Sequence, residues 1–525
     1  MRTPRSSASP VPCSTSTSAG TGTDAVAALS QLSHPAAPHR QTVAHQSSRR
    51  RHAVSRHSHR PARRGPASQV ARLLRGDRGP PPLRGGGHLA AHPAGGDRRP
   101  LRLDRRRRRP TPHRALLAPV RSRGHRRRAV AGHAAVVPLL ARHTASGRLR
   151  FTTDVREAAD FAELHFIGVG TPIDADGRSY DTAQVFGAIR QLAPHLDRPC
   201  TIVGKSPVAV GTTARITDLA QRLAPAREKV DVVWNPEFLR EGHAVEDTLR
   251  PDRLIAGLTT AEGEKAIRTV YAGIIDAGVP LFVTDPATAE LAKGAANTFL
   301  GLKISYINAV ADMCDAAGAD ISQIVDILGI DPRIGAGGMR PGIGYGGGCL
   351  PKDVRAFTAS ARHLGADQAA ALLRAAEVIN EQRTAVALDL ITHALGDRPI
   401  KGAQVTVWGA AFKPGTNDVR ESPALALAHA LQQAGARVTV HDPQAVPTAM
   451  IRNPELDYSD DLSSALDGAD LVVLATEWPE YRDADPHALV NRPRTPVLVD
   501  CRTTLDAADW RAAGWTVHQL GRPGR

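Results

Sequence analysis

The residues with the clearest chemical potential lie in the glycine-rich run 344–353, which contains the thiol of Cys349. Pro351 is suited to the first helical position, so we expect a helix to begin just after the thiol. The unpaired N–H groups at that helix start, together with the Lys352 cation, would favour the nucleophilic thiolate. Three consecutive glycines would let a substrate approach the backbone closely. The run predicts a reactive cysteine, against the alternative of a flexible loop with an inert thiol.

Composition divides the chain into two unlike parts. Residues 1–150 contain 31 Arg and 4 Asp but no Lys or Glu, a formal charge of +27, whereas the whole chain carries +15. This part also lacks Phe, Tyr, Trp, Ile and Asn. Such a segment cannot bury enough apolar surface to offset the entropy cost of ordering. We therefore predict that residues 1–137 are disordered.

Three interpretations of this N-terminal segment are open. The first is a basic tail that binds nucleic acid or another polyanion, but the aromatic side chains that would stack on bases are missing, so we do not expect nucleic acid as a partner. The second is a targeting segment, although no apolar region of a secretory signal follows Met1. The third, which we favour, is GC-rich DNA read in a shifted frame, because the missing residue types include those with AT-rich codons.

From residue 151 onward the composition is that of an ordinary globular protein. It has no run of 18 apolar residues, so we expect no membrane span. The chain has five cysteines, which is an odd number, and they are scattered along the sequence. This argues against a disulfide framework and for a reducing, cytoplasmic location. We expect no metal site.

Apolar runs alternate with helical stretches, which predicts parallel sheets of the α/β class. In the first half the runs are 164–169, 201–203 and 230–234, and in the second half they are 405–409, 438–440, 471–475 and 497–500. Loops rich in polar residues follow the first three runs, where ligands bind in open parallel sheets. Lys413 and Arg420 precede a helix that Ser422 and Pro423 should start, which predicts an anion or diphosphate site.

A long helix is predicted from Asp285 and Pro286 to about residue 317, because Asp is a good N-cap and Pro fits the first turn. It carries Lys293 and Asn297 on one face, since residues four apart are neighbours on a helix. A solvated polar stripe is the alternative for this pair. A long and largely apolar helix between two α/β units also suits a dimer interface.

Residues from about 138 to 525 resemble the UDP-glucose/GDP-mannose dehydrogenase family in the order and spacing of several motifs. These are Gly168-Val169-Gly170-Thr171-Pro172, Lys205-Ser206, Asn235-Pro236-Glu237-Phe238-Leu239-Arg240-Glu241-Gly242, residues 290–297, Asp331-Pro332-Arg333-Ile334-Gly335, the run 344–353 and residues 412–422. The resemblance implies two Rossmann-like domains joined by the long central helix, and a homodimer. The domains would be 138–284 for NAD, 285–395 for the central helices and cysteine loop, and 396–525 for the UDP-sugar.

The family reaction is an NAD-dependent, four-electron oxidation of a sugar C6 alcohol to a carboxylate, through a cysteine thiohemiacetal and thioester. The Leu-Pro-Lys-Asp sequence after Cys349 favours UDP-glucose or GDP-mannose over UDP-N-acetylmannosamine, and we expect UDP-glucose. Oxidation of GDP-mannose remains an alternative. A non-catalytic, polyanion-binding protein with a basic tail is the alternative from another class.

The resemblance also implies roles for individual residues. The catalytic residues would be Cys349 as nucleophile, Lys293 and Asn297 as stabilisers of an oxyanion, and Asp353 and Glu237 in proton transfer and hydrolysis. The cofactor-binding residues would be Thr171, Glu241, Lys352 and Arg420. The substrate-binding residues would be Phe238, Leu239, Lys293, Gly346 and Lys413, with Arg333 reaching the site of a neighbouring subunit.

The chain departs from the family pattern in two places. Pro207 follows Lys205 and Ser206 where the family has Thr, which removes a hydroxyl and an amide donor. More seriously, residues 1–150 contain no apolar strand followed by the Gly-x-Gly-x-x-Gly turn that holds the NAD pyrophosphate. We therefore expect the first Rossmann-like domain to lack its N-terminal βαβ portion.

Overall fold

The computed structural model describes residues 115–117, 136–177 and 179–523. The strands are β1 Ala115–Leu117, β2 Leu149–Phe151, β3 Leu164–Ile167, β4 Cys200–Gly204, β5 Val230–Trp234, β6 Leu254–Gly257, β7 Leu281–Thr284, β8 Gln404–Trp408, β9 Arg437–His441, β10 Asp457–Ser459, β11 Leu471–Leu474, β12 Val497–Asp500 and β13 Thr516–Gln519. The α-helices are α1 Val136–Ala145, α2 Val155–Phe161, α3 Ala183–Leu192, α4 Thr212–Leu223, α5 Ala244–Leu249, α6 Ala261–Val270, α7 Ala272–Asp276, α8 Pro286–Ala317, α9 Ile321–Ile330, α10 Leu350–His363, α11 Asp367–Ala394, α12 Pro423–Gln433, α13 Val446–Arg452, α14 Pro479–Arg482, α15 Pro486–Leu489 and α16 Ala507–Ala512.

The first sheet has five strands in the order β3-β4-β5-β6-β7. Its pairs are parallel except β5 and β6, which meet at one antiparallel bridge between Trp234 and Gly257. The middle strands β4 and β5 consist largely of β-branched and apolar residues that are buried, as expected for strands covered on both faces. The parallel alignment of β3, β4 and β5 brings their carboxyl ends to one edge of the sheet.

The second sheet has six parallel strands in the order β10-β9-β8-β11-β12-β13. Numbered within this domain, the order is 3-2-1-4-5-6, which is that of a doubly wound dinucleotide-binding fold. The predicted α/β class with Rossmann-like domains is thereby confirmed. A continuous apolar core fills the space between these strands and the helices that cover them.

The central helix α8 begins where the sequence predicts. The Asp285 side chain accepts a hydrogen bond from the Thr288 N–H at 2.9 Å, and Pro286 occupies the first turn. The helix runs for 32 residues to Ala317 and ends at Gly318, which has a left-handed φ of 70°. The helices α10 and α11 pack against α8.

Ordered structure begins earlier in the chain than predicted. Strand β1, at residues 115–117, pairs in parallel with β2, and helix α1 begins at Val136. Residues 115–117 and 136–137 are the described part of the segment for which we predict disorder, and β1 joins β2 through its backbone. The rest of that prediction lies outside the described residues. Among the helices that are described, none is long and apolar enough to cross a membrane.

Candidate active site

The loops that follow β3, β4 and β5 are tied together by hydrogen bonds at the edge of the first sheet. The hydroxyl of Thr171 donates to the carbonyl of Pro207 at 2.8 Å, which joins the first loop to the second. The Lys205 ammonium donates to Asn235 Oδ1 at 3.1 Å, and the Glu237 N–H lies 3.4 Å from the Lys205 carbonyl. These contacts fix the backbone that presents Glu237.

Helix α8 turns the predicted polar face toward this edge. Both Lys293 and Asn297 are buried, so they are not a solvated stripe. Lys293 Nζ lies 3.4 Å from Glu237 Oε1, and Asn297 Nδ2 donates to Asp353 Oδ2 at 2.5 Å. One helix face therefore joins the loop after β5 to the first turn of α10.

Asp353 is 1% exposed and is held by donors on both oxygens. Its Oδ1 accepts from Lys352 Nζ at 2.6 Å and from the Tyr180 hydroxyl at 3.0 Å, and its Oδ2 accepts from Asn297. Three donors, one of them cationic, offset the cost of burying this carboxylate.

Cys349 is the N-cap residue of α10, which begins at Leu350, so Pro351 is the second rather than the first helical residue. The thiol is accessible to solvent, yet the surrounding protein atoms remove much of its water. Burial raises the pKa of this thiol, and the carboxylates of Asp353 and Glu237 raise it further, whereas Lys293 and Lys352 act in the opposite direction. Burial and the two carboxylates thus oppose the predicted preference for thiolate.

The glycines before Cys349 are packed against the C-terminal domain. A Cβ atom on Gly346 would lie 2.0 Å from the Glu421 carbonyl, and one on Gly348 would lie 2.4 Å from the Arg420 guanidinium. The sequence predicts glycines here so that a substrate can approach. In the structure the segment 412–421 lies against these glycines. It comes so close that a side chain at those positions would have no room.

Glu241 forms the junction between the two α/β domains. Lys413 Nζ donates to its carbonyl at 2.6 Å, the Thr416 hydroxyl donates to Oε1 at 2.9 Å, and Arg420 Nη2 lies 3.6 Å from Oε2. Burial, and then the neighbouring charge of Asp418, raise the pKa of Glu241, and burial lowers the pKa of Lys413. Three residues predicted from the resemblance to bind ligands thus also hold the domains together.

The remaining predicted residues lie at two different places. The Phe238 ring has Arg253 at 4.2 Å and Lys293 Nζ at 5.1 Å from its centroid, and the Leu239 N–H donates to Glu237 at 2.6 Å. These residues border the group formed by Cys349, Lys293, Asn297, Asp353 and Glu237, which we call the Cys349 cluster. Arg333 does not join that cluster. Its side chain is 86% exposed and pairs with Asp331 on the surface.

Arg502 was not among the residues predicted from the sequence. It lines a cavity of about 330 Å³ beside the cysteine loop. Its Nη1 donates to the Gly344 carbonyl at 3.1 Å and its Nε donates to the Ala475 carbonyl at 2.7 Å. Its Nη2 is buried and has no hydrogen-bond partner among the described residues. Nη2 is a donor open to a ligand oxygen, while the Glu477 carboxylate, which also lines the cavity, lies 3.3 Å from Nε. The available signal was an arginine two residues after the apolar run 497–500.

The described residues fit only part of a dinucleotide. The N-terminus of α4, which follows β4, would be a natural pyrophosphate site. It is instead filled by the Glu290 carboxylate, which accepts hydrogen bonds from Gly211 N–H at 2.7 Å and Thr213 N–H at 2.6 Å. The charges of Lys352 and Arg420 lie close enough to Cys349 to interact with its thiol, whereas the Thr171 hydroxyl donates to the Pro207 carbonyl in the loop before α4. The described residues therefore fit the reactive end of a dinucleotide better than its pyrophosphate.

Doubly wound sheets with polar groups gathered at strand ends, joined by a long helix, are typical of dinucleotide-dependent oxidoreductases. Comparisons with known proteins define the family. The UDP-glucose/GDP-mannose dehydrogenase family matches through its NAD binding domain at residues 134–275, its central domain at 287–382 and its UDP binding domain at 406–507.

Individual relatives agree with these matches. The UDP-glucose 6-dehydrogenase of Rhizobium meliloti is 38% identical over 388 residues, which cover 73% of this chain and 88% of that protein. The Pseudomonas aeruginosa enzyme of the same name is 39% identical over 72% of this chain and 84% of its own length. A solved UDP-glucose dehydrogenase from Pyrobaculum islandicum has a TM-score of 0.66 at 36% identity, covering 72% of this chain and 84% of that one.

The chain therefore belongs to the UDP-glucose/GDP-mannose dehydrogenase family, and it is an NAD-dependent dehydrogenase.

Proposed function

We propose that the protein oxidises UDP-glucose to UDP-glucuronate, with Cys349 as the nucleophile. Two UDP-glucose 6-dehydrogenases, which are 38% and 39% identical to this chain, support UDP-glucose as the substrate. The observation that supports this chemistry most strongly is that a thiol, an ammonium, an amide and two carboxylates lie together at the carboxyl edge of the first sheet. These belong to Cys349, Lys293, Asn297, Asp353 and Glu237.

The first half of the reaction makes an aldehyde and captures it. Two NAD molecules, held in turn beside Thr171, Lys352 and Arg420, would supply the oxidising power, each taking up one hydride. The proton of the C6 hydroxyl, lost with the first hydride, would pass to solvent. The Cys349 sulfur attacks the aldehyde carbon, forming a C–S bond, and the thiol proton passes to Asp353, through water. Because the raised pKa of the thiol disfavours a resting thiolate, proton removal accompanies attack. Lys293 and Asn297 stabilise the oxyanion that forms at the former carbonyl.

The second half of the reaction releases the acid. Loss of the second hydride converts the thiohemiacetal to a thioester, still attached to Cys349. Water then attacks the thioester carbonyl with Glu237 as base, the C–S bond breaks, and the sulfur leaves with its electron pair. Lys293 Nζ lies 3.4 Å from Glu237 Oε1, so the proposed base stands beside the cation that stabilises the oxyanion. From the attack of Cys349 until hydrolysis, the sugar stays covalently bound to the enzyme, so no free aldehyde is released.

The resemblance to the family supports proposed binding roles for individual residues. We assign substrate contacts to Phe238, Leu239, Lys293, Gly346 and Lys413, and add Arg502 for its orphaned nitrogen beside the cysteine loop. We assign cofactor contacts to Thr171, Glu241, Lys352 and Arg420. The corresponding domains are 138–284 for NAD, 285–395 for the central helices and 396–525 for the nucleotide sugar.

The stoichiometry of the reaction tests this function. We expect two NADH to form for each UDP-glucose consumed, with UDP-glucuronate as product, and at least a tenfold preference over GDP-mannose and UDP-N-acetylmannosamine in kcat/KM. The assay uses saturating NAD. It is repeated on a chimera in which residues 1–133 are replaced by the N-terminal segment of the Rhizobium meliloti relative. One NADH for each sugar, or equal rates with GDP-mannose, would contradict the proposal.

A homodimer would cover an exposed apolar face of the central helices. Phe299, Tyr306 and Met313 on α8 are 61%, 59% and 68% exposed, and their spacing of seven places them along one side of the helix. Ile327 and Ile330 on α9 are 69% and 84% exposed. Large apolar side chains are unfavourable when they are exposed to water. Arg333 lies three residues after the end of α9. We place the dimer seam on this face, with Arg333 acting in the partner's site.

Mixed dimers test this arrangement. Arg333→Ala and Cys349→Ala chimeras should each be nearly inactive when alone. After subunit exchange some activity should return, because one site of each hybrid has its own Cys349 and receives Arg333 from its partner. NADH formation is measured against the fraction of hybrid seen by native mass spectrometry. Hybrids that form but stay inactive would place Arg333 in the site of its own chain.

A further inference from the structure

A tyrosine outside the predicted set lies directly against the Cys349 cluster. Tyr180 ends a short hairpin after β3, in which it bridges Ile173 in antiparallel fashion and the Asp174 N–H donates to the Ser179 carbonyl at 2.9 Å. Its side chain is 8% exposed. The hairpin therefore delivers a buried phenol from the first domain to the start of α10.

The contacts of Tyr180 are specific to Asp353 and Lys352. Its hydroxyl donates to Asp353 Oδ1 at 3.0 Å, and Lys352 Nζ lies 4.7 Å from the centroid of its ring while donating to the same oxygen at 2.6 Å. Burial raises the pKa of Tyr180 far above its ordinary value, and the charges of Asp353 and Cys349 add to this effect. The phenol consequently stays protonated and acts as a donor.

We propose that Tyr180 is a positioning residue for catalysis: its hydroxyl holds the Asp353 carboxylate beside Cys349, and its ring keeps Lys352 on that carboxylate. The proposal rests on the proposed function, in which Asp353 receives the thiol proton. Asp353 and Glu237 both disfavour the thiolate, and Lys293 and Lys352 favour it. A donor on Asp353 reduces the negative charge that the sulfur experiences, so it makes the proton easier to remove.

Alkylation of Cys349 tests the proposal without substrate or cofactor. Tyr180→Phe keeps the ring under Lys352 but removes the donor, so less thiolate should form at a given pH. We expect iodoacetamide to modify the Cys349 peptide roughly three- to tenfold more slowly at pH 7, with the rate profile moved to higher pH. The peptide is quantified by mass spectrometry, which separates it from the other cysteines. An unchanged or faster rate would overturn the proposal.

Steady-state kinetics supply the second measurement. In the chimera, Tyr180→Phe should lower kcat about tenfold and leave KM for UDP-glucose within about twofold, because the lost contact is to Asp353 rather than to substrate. The matched control is Tyr458→Phe, which removes a hydroxyl that donates to the Asn453 carbonyl at 3.0 Å in the C-terminal domain. That control should change neither alkylation nor kcat. An effect on KM alone, or the same effect in both variants, would overturn the positioning role.

The two readouts separate this proposal from the function on which it rests. If UDP-glucose is not oxidised but Tyr180→Phe slows alkylation, the positioning of Asp353 stands and the proposed substrate is wrong. If UDP-glucose is oxidised with two NADH but the variant matches the parent in alkylation and kcat, the function stands and the role of Tyr180 is wrong. A thermal unfolding curve close to that of the parent shows that the comparison is made between folded proteins.

Discussion

Replacing the Cys349 thiol with a hydroxyl should lower NAD reduction with UDP-glucose by a factor on the order of a thousand or more. A serine hydroxyl is a far weaker nucleophile than a thiol at neutral pH, and it would leave the aldehyde without a covalent partner for the second oxidation. Cys349→Ser is measured in the chimera as NADH formed and as UDP-glucuronate released. After rapid acid quenching, the parent should also show the mass of a sugar-nucleotide adduct on the Cys349 peptide, and the variant should not.

Cys314→Ser is the matched control, because Cys314 is buried in the core formed by α8 and α9, away from the Cys349 cluster. It should retain most of the activity. Near-normal turnover by Cys349→Ser would remove the thiohemiacetal from the mechanism, and equal loss in both variants would indicate a general effect of the substitution on folding.

The second large effect concerns NAD itself. The chain as it stands should bind NAD at least about a hundredfold more weakly than the chimera, because two missing charge-assisted hydrogen bonds to the pyrophosphate, at roughly 1.5–3 kcal/mol each, already account for this. The structural reason lies in the first sheet. In the second sheet β8 lies between β9 and β11, whereas in the first sheet β3 has only β4 as a neighbour among the described strands. The helix start after β4 is occupied by Glu290.

Titration calorimetry with NAD on the two proteins measures this difference, and UDP serves as a control ligand that both should bind equally through the C-terminal domain. Equal NAD affinity would show that residues 1–133 do build a pyrophosphate site, and that a shifted reading frame is the wrong explanation for their composition. Reading the other frames of the DNA upstream of codon 138 for a Gly-x-Gly-x-x-Gly turn is an independent check.

The sequence alone determined the local elements and their order. Asp285 and Pro286 start α8, and Ser422, whose side chain accepts from the Leu425 N–H, starts α12, as their residue types predict. The apolar run 230–234 is β5 and 497–500 is β12. Caps and buried strands act over a few residues, so neighbouring residue types suffice to predict them. The motifs along the chain were enough to identify the family for the same reason, because their spacing is local.

Only the tertiary structure decided the state of the thiol and the neighbours of the glycines. From the sequence, Lys352 and the helix start favour a thiolate at Cys349. In the structure, burial raises the pKa of the thiol, and the carboxylates of Asp353 and Glu237 raise it further. The segment 412–421 fills the space beside Gly346, and Tyr180 reaches Asp353 from a hairpin in the first domain. The pKa of a buried group and the room beside a backbone depend on every atom within a few ångströms, and most of those atoms belong to residues far away along the chain.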